Sequence, residues 1–92
     1  MAISSFRHKG LKELFIKGTT RHIGKRYHAT LLMLLDVLDA IDSLDDCHGV
    51  RGFHPLLGKR SGSYSMIVSG NYRLTFGYDG EDVIDLDFED YQ

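Results

Sequence analysis

One apolar stripe constrains the fold of this chain more than any other feature of its sequence. Between Tyr27 and Ile41, leucine and isoleucine recur at the three- and four-residue spacing of a single helix face, while Asp36 and Asp39 fall on the opposite side. The residues of the stripe are Leu31, Leu34, Leu35, Leu38 and Ile41. The spacing predicts an amphipathic helix that supports the hydrophobic core.

A shorter helix is predicted upstream of the stripe. In "HKGLKELFIKG" the apolar Leu11, Leu14 and Phe15 lie at helical spacing, and Gly18 can end the helix. Gly10 would then occupy the first turn, where glycine is tolerated at some cost in helix stability. The stretch "ISSF", at residues 3–6, predicts a short strand before this helix.

The second half of the chain has the pattern of β-strands joined by tight turns. Its strand-like stretches are "GFHPL", "YSMIVS", "NYRLTFGY" and "VIDLDF", with turns predicted at Ser69–Asn71 and at Asp79–Gly80. A helical half followed by such a meander predicts an α+β fold. We expect one domain over residues 1–92, with an antiparallel sheet of four to five strands and two N-terminal helices packed on one face.

Alternation within the last two strands predicts which side chains face the helices. The apolar set expected there is Tyr72, Leu74, Phe76, Ile84, Leu86 and Phe88. Arg73, Asp85 and Asp87 would lie on the other face, which an antiparallel sheet can leave open to solvent. An arginine at the centre of a strand then has two explanations, a cross-strand ion pair with these aspartates or a functional role.

Length and composition limit the classes of protein that fit. With 92 residues, of which 42 % are hydrophobic, the chain can build one modest core. Its single cysteine, Cys47, cannot form an internal disulfide, and no N-terminal apolar run is long enough for a signal peptide or a membrane span. These features predict a cytoplasmic protein that does not contact membranes.

Charge is segregated along the chain. The net charge is only -2, from 11 basic and 13 acidic residues, which argues against binding duplex DNA through bulk positive charge. From Arg7 to Arg26, however, the chain has seven basic residues and one acidic residue, Glu13. Residues 79–90 contain seven acidic residues and no basic residue. This distribution predicts a basic surface, including Lys9 and Lys12, that binds phosphates or an acidic partner.

A metal site is not expected. Cys47 and His48 are adjacent and close to Asp45 and Asp46, but side chains of neighbouring residues diverge, and no second pair of cysteine or histidine lies at a chelating interval. A structural loop explains this cluster better than a metal centre.

The loop after the first predicted strand carries candidate chemistry. Pro55 pushes His54 into an extended conformation, and Lys59 and Arg60 follow in a Gly/Ser loop that can approach a ligand. The plainer alternatives are a half-buried strand-end histidine and a solvated turn.

The last residues form a second candidate. Asp90, Tyr91 and Gln92 are either a frayed terminus or a segment that folds back onto the face of Arg73. Together with the loop of His54, they would supply the parts that RNA cleavage requires. These are a proton acceptor for the 2′-OH, cations for the phosphate, a donor for the leaving 5′-oxygen and an aromatic ring for stacking.

The order of these pieces resembles the RelE superfamily of bacterial toxins, and within it the HigB-type toxins. The resemblance rests on "SFRHKGLKELF", "HPLLGKRSGSYSMIVSGNYRLTF" and "DFEDYQ", which together span almost the whole chain. It implies a small sheet with two N-terminal helices on one side and cleavage of mRNA in the A site of the small ribosomal subunit. It also implies a cognate helix-turn-helix antitoxin, operator DNA reached only through that antitoxin, and no metal or organic cofactor.

Carried over by position, the family's catalytic residues fall on His54, Arg73, Asp90 and Tyr91, with Gln92 at the place of a further site residue. Two positions depart from the family pattern. Family members commonly read "HPLKG" and "DYH", where this chain has Leu57 and Gln92. Leucine cannot neutralise phosphate, and glutamine cannot exchange a proton near neutral pH.

The resemblance therefore predicts a toxin that inhibits translation as a ribosome-dependent endoribonuclease. Attack by the 2′-OH would leave a 2′,3′-cyclic phosphate and a 5′-OH. Arg73, with Lys59 or Arg60 in place of the missing lysine, would neutralise the phosphate, while His54 or Asp90 accepts the proton and Tyr91 stacks on a base or donates. The alternative is a catalytically weak module that binds its antitoxin and modulates operator occupancy.

Overall fold

The computed structural model describes residues 1–91, and these form two helices packed on one face of an antiparallel sheet. The helices are α1 (Lys9–Lys17) and α2 (His28–Ala40). The strands are β1 (His54–Pro55), β2 (Ser63–Ile67), β3 (Tyr72–Tyr78) and β4 (Val83–Asp90), in the spatial order β1-β2-β3-β4. The α+β fold class expected from the sequence is confirmed.

Helix α1 begins and ends where its sequence signals lie. The side chain of His8 accepts a hydrogen bond from the Leu11 amide at the first turn, and Gly18 ends the helix with a left-handed φ of 79°. Gly10, the costly residue in the first turn, is buried, and a Cβ at this position would lie 2.8 Å from the Cβ of His22. Close packing therefore explains the glycine.

Helix α2 buries the predicted stripe against the sheet. Leu31, Leu34, Leu35 and Leu38 are fully buried, while Asp36 and Asp39 are exposed, as expected. Full burial of one leucine side chain contributes roughly 2 kcal/mol, so this stripe is a major part of the core free energy. Met66, Leu74 and Phe76 cover it from the sheet side.

The segment "ISSF" lies alongside β4 and makes isolated bridges rather than a full strand. Ile3 pairs in parallel with Val83, and Phe6 pairs in parallel with Leu86. Backbone hydrogen bonds join the two segments, including Ser4 N–H to the Val83 carbonyl at 2.9 Å. The sequence-based strand at residues 3–6 is thus present as a partial fifth strand.

A β-bulge in β4 corrects one prediction about the sheet faces. Thr75 pairs with Asp87 and Gly77 with Ile84, so two steps along β3 oppose three steps along β4. Asp85 takes up the extra residue with a φ of 55°. Val83 rather than Ile84 therefore joins Leu86 in the core, and Ile84 packs against Gly77 on the opposite face.

The first predicted strand, residues 52–56, is shorter than its sequence suggests. Arg51 and Gly52 both adopt positive φ, at 47° and 66°, which is incompatible with a strand. Pro55 lacks an amide donor, and a 3₁₀ turn follows from Gly58 to Arg60. Only His54 and Pro55 pair with β2, so the loop after them is long enough to fold over the sheet.

Candidate active site

The face of the sheet opposite the helices, called the outer face below, carries Arg73 at its centre. Arg73 pairs in register with Glu89 on β4, and its Nη2 lies 3.7 Å from the Glu89 carboxylate. Both side chains are mostly buried, with 18 % and 20 % of their surface exposed. The sequence offered Asp85 and Asp87 as ion-pair partners of Arg73, and the structure gives that place to Glu89 instead.

Glu89 holds a second arginine more tightly. Arg60 donates two parallel hydrogen bonds to the two carboxylate oxygens, at 2.7 and 2.6 Å, and the Thr75 hydroxyl donates a third. Hydrogen bonds from Arg60 lower the pKa of Glu89 to about 2, with smaller contributions from Thr75 and the charge of Arg73. We call these four residues, Arg60, Arg73, Thr75 and Glu89, the outer-face cluster.

The outer face is covered, although the sequence predicted it to be open. Arg60 comes from the loop between β1 and β2, and its side chain reaches Glu89 on β4, two strands beyond β2. Ser65 and Thr75, on the strands between, are only 1 % and 2 % exposed. A tight polar layer thus replaces the solvated face that simple alternation suggests.

Tyr91 folds back onto the outer face, as one of the two sequence-based alternatives proposed. Its backbone N–H donates to the Asn71 carbonyl at 3.0 Å, and the Arg73 guanidinium lies 5.5 Å from the centre of its ring. The ring is 41 % exposed, which leaves surface for a further stacking partner.

Asp90 is the last residue of β4 and lies on the face opposite Arg73. It pairs in register with Tyr72, whose ring stacks on Phe88 in the core layer, and residues directly opposite each other share a face. The register therefore places Asp90 on the helix side of the strand, and its role in the site stays a prediction. Gln92 lies outside the described residues.

His54 lies on the same face as Arg73, at the edge of the sheet. It is exposed and pairs with Ser65, which pairs in turn with Thr75. From the usual strand spacing, the Cα atoms of His54 and Arg73 are roughly 12 Å apart. Its Nδ1 lies 3.0 Å from the Pro55 carbonyl, which only accepts, so this contact suits the neutral tautomer that carries its proton on Nδ1 and has Nε2 as acceptor.

The two basic residues of the loop differ in their surroundings. Arg60 is hydrogen-bonded to Glu89, whereas the neighbouring Lys59 is exposed to solvent. Leu57, which stands where the family pattern has lysine, is 85 % exposed. Of the two candidates to replace that lysine, Lys59 is the one whose charge remains available.

Lys9 and Lys12 are not part of this arrangement. They lie on α1, in the helical layer, and line a groove of about 380 Å³ together with Ile16 and His22. Within residues 1–91, no hydrogen bond or ion pair connects either lysine to the outer-face cluster. The basic surface predicted from the sequence is therefore a second region, distinct from the sheet face.

Comparison with known proteins identifies the family. A family model described as the RelE-like toxin of the type II toxin–antitoxin system HigB matches residues 4–91. This chain belongs to the HigB-like toxin family. It is also 36 % identical, over 90 residues, to a protein of Proteus vulgaris named Endoribonuclease HigB, in an alignment that covers 97 % of this chain and 98 % of that protein.

Membership in the HigB-like family confirms the resemblance inferred from the sequence motifs, and a type II system implies an antitoxin as partner. Over the described part of this family member, no helix is long and apolar enough to cross a membrane. In the same residues, no group of three or more histidine, cysteine, aspartate or glutamate side chains is arranged to hold a metal ion.

Glu89 is the component of this HigB-like site that sequence reasoning missed. It follows Asp85 and Asp87 in the same alternating acidic stretch, so the alternation alone would have predicted that Glu89 lies on a polar face. Its pairing with Arg60, 29 residues away in the chain, could not be predicted from any local sequence pattern.

Proposed function

We propose that this HigB-like toxin is an endoribonuclease that cuts mRNA on the ribosome, in the cytoplasm, and so inhibits translation. The observation that carries the proposal is the fixed arginine of the outer face. Arg73 lies between Glu89 and the ring of Tyr91, with His54 on the same side of the sheet. The relative from Proteus vulgaris, named an endoribonuclease, aligns across this whole region.

Each residue of the outer face supports one part of the proposed reaction. His54 Nε2 accepts the proton of the ribose 2′-OH, whose oxygen then attacks the phosphorus and expels the 5′-oxygen, which takes a proton from the Tyr91 hydroxyl or from solvent. The products are a 2′,3′-cyclic phosphate and a 5′-OH. Arg73 stabilises the charge that develops on the phosphate, and the exposed ring of Tyr91 stacks on a base.

The remaining site residues have supporting roles in this proposal. Lys59, exposed on the covering loop, supplies the charge that Leu57 lacks. Asp90 and Gln92 belong to the site through the family resemblance, with Asp90 as a second candidate for the proton acceptor.

The partners of the proposed enzyme follow from its two charged regions. We assign mRNA to the outer face, and the ribosomal RNA that surrounds the A site to the α1 surface that carries Lys9 and Lys12. A helix-turn-helix antitoxin would hold the toxin in the resting cell and would be its link to operator DNA.

A second candidate function is favoured by one observation. Leu57 is 85 % exposed where the family pattern places a phosphate-binding lysine. Leucine cannot neutralise phosphate, so this position contributes less to RNA binding than the family's lysine would. The toxin would then be a catalytically weak module that acts mainly by binding its antitoxin.

Substitution of Arg73 tests the enzyme directly. We expect Arg73→Ala to lower the rate of mRNA cleavage on purified ribosomes by on the order of 100- to 1,000-fold, because a preorganised donor to the reacting phosphate is lost. Glu89 keeps Arg60 and Thr75 as partners, so the variant should fold, with a loss of roughly 0.5–3 kcal/mol in its free energy of unfolding because a mostly buried side chain is truncated. Rates come from single-turnover cleavage assays, and stability comes from thermal melting.

Two further variants complete this experiment. Arg73→Lys retains the charge without the planar fork and should restore only part of the rate. Asp85→Asn removes an exposed carboxylate that lies 3.9 Å from Arg7 and should cut like the parent. Near-parental cleavage by Arg73→Ala would contradict the catalytic role. A parent protein that binds antitoxin tightly but leaves ribosome-bound mRNA intact would support the binding module instead.

A further inference from the structure

Glu89 is an acidic group at the centre of a face proposed to bind a polyanion, and Asp87 shares that face. Its two oxygens accept three hydrogen bonds, two from Arg60 and one from Thr75, and Arg73 lies 3.7 Å away. A carboxylate repels the phosphates of RNA, so a direct contact between Glu89 and substrate is unfavourable. What the side chain does contact is the pair of arginines.

We propose that Glu89 is a positioning residue, which fixes the guanidinium of Arg73 on the outer face and holds Arg60 away from it. The inference rests on the proposed function for its consequence in catalysis. Two guanidinium groups beside one another repel, and a carboxylate between them removes that repulsion and leaves a net charge of one. Arg60 serves as the anchor of the carboxylate, and Arg73 is left to act on substrate.

The geometry distinguishes the two arginines. Arg60 forms a bidentate pair with Glu89 and is 40 % exposed, whereas Arg73 has the longer contact and is 18 % exposed. The Nε of Arg73 is buried and has no hydrogen-bond partner within residues 1–91, and the ring of Tyr91 packs against the guanidinium. Arg73 is therefore held by burial and packing rather than by the tight hydrogen bonds that fix Arg60, which leaves the exposed 18 % of its side chain to meet phosphate.

Glu89 is also unsuited to proton transfer. A pKa of about 2 keeps the carboxylate ionised throughout the neutral range, where it is too weak a base to accept the proton of a hydroxyl group. Three of its roughly four acceptor sites are already occupied by hydrogen bonds, which leaves little for a base to use. A role through Arg73 is the one that the contacts support.

The test is Glu89→Gln, which keeps the shape and removes the charge. We expect kcat for cleavage of ribosome-bound mRNA to fall by about 10- to 100-fold, because Arg73 loses its orientation. KM should fall, and the salt dependence of RNA binding should become steeper, because the outer face gains one net positive charge. A merely structural role would lower the active fraction without moving KM or the salt dependence.

Two companion variants separate charge from geometry. Glu89→Asp keeps the charge but is one methylene too short to hold both arginines, so its kcat should fall while its salt dependence stays parental. Asp85→Asn, on the same strand, removes a carboxylate whose ion pair with Arg7 is exposed and should change neither quantity.

A spectroscopic measurement decides the positioning role without any cleavage assay. In ¹⁵N spectra of the arginine side chains, the parent should show a dispersed, slowly exchanging Nε–H signal for Arg73 that Glu89→Gln shifts and broadens. An unchanged Arg73 signal in the variant would overturn the inference, as would parental kcat, KM and salt dependence. If the parent itself failed to cut RNA while the Arg73 signal still responded to Glu89→Gln, the proposed function would fail and the positioning role would stand.

Discussion

At the scale of single residues, the carboxylate of Glu89 ties the stability of the outer face to pH. Hydrogen bonds from Arg60, then from Thr75, lower its pKa from 4.5 to about 2. The folded protein therefore binds this proton less readily than the unfolded chain does. The stabilisation is fully present above pH 4.5 and is lost as the pH falls toward 2.

We accordingly predict that the parent loses more stability in acid than Glu89→Gln does. In the variant the amide does not titrate, so the contribution of this residue to the pH dependence of the free energy of unfolding disappears. Urea titrations at about pH 5 and about pH 3, followed by circular dichroism, measure the difference for both proteins. Equal losses in the two proteins would show that other carboxylates account for the acid sensitivity.

At the scale of secondary-structure elements, the bulge in β4 decides which side chains reach the outer face. Asp85 inserts one residue with a left-handed φ of 55°, and its backbone N–H donates to the Ser5 hydroxyl at 2.9 Å. Beyond the bulge, Asp87 and Glu89 share the face of Thr75 and Arg73. The backbone conformation of Asp85 therefore determines which side chains in the second half of β4, including Glu89, lie on the outer face.

A β-branched residue at this position should be destabilising. Left-handed φ costs roughly 1–2 kcal/mol for residues other than glycine, asparagine and aspartate. We expect Asp85→Val to lower the free energy of unfolding by about that amount, and Asp85→Asn to leave it nearly unchanged. Urea unfolding of both variants measures the effect. If valine were tolerated as well as asparagine, strain at Asp85 would not be what keeps the bulge in place.

The same bulge shows why the sequence predicted the elements better than their details. The apolar periodicity of α2 and the alternation of β3 are local patterns, and both were confirmed. Alternation carried through Asp85, however, placed Ile84 in the core, because a binary pattern carries no sign of an inserted residue. The contact of Arg60 with Glu89 and the cover it gives to Ser65 depend on how a loop folds over the sheet, which no local pattern specifies.

At the scale of the whole molecule, the segment around the first helix and the last strand carry opposite charge. Seven basic residues lie between Arg7 and Arg26, and the acidic residues concentrate in the last strand and the turn before it. The groove along α1 presents Lys9, Lys12 and His22 to solvent. A polarised molecule of this kind orients itself before contact with a charged partner.

Reversing two charges on α1 tests which partner that is. We predict that Lys9→Glu with Lys12→Glu weakens binding to purified ribosomes and flattens its dependence on salt, because fewer counterions are released on binding. Sedimentation at several salt concentrations measures both effects, and Lys9→Arg with Lys12→Arg is the charge-preserving control. If ribosome binding were unaltered by the reversal, the basic groove would serve a different partner, with an acidic surface of the antitoxin as the next candidate.

The pairing of the first residues with the last strand has a consequence for the order of synthesis and folding. Ile3 and Phe6 remain without their partners until Val83 and Leu86 have been translated, and closing so long a loop is entropically costly and slow compared with helix formation. Arg73 and Arg60 likewise wait for Glu89, and Tyr91 is the last of the described residues to be added. Until Glu89 has been translated, a nascent chain therefore lacks the partners that complete both the sheet and the outer-face cluster.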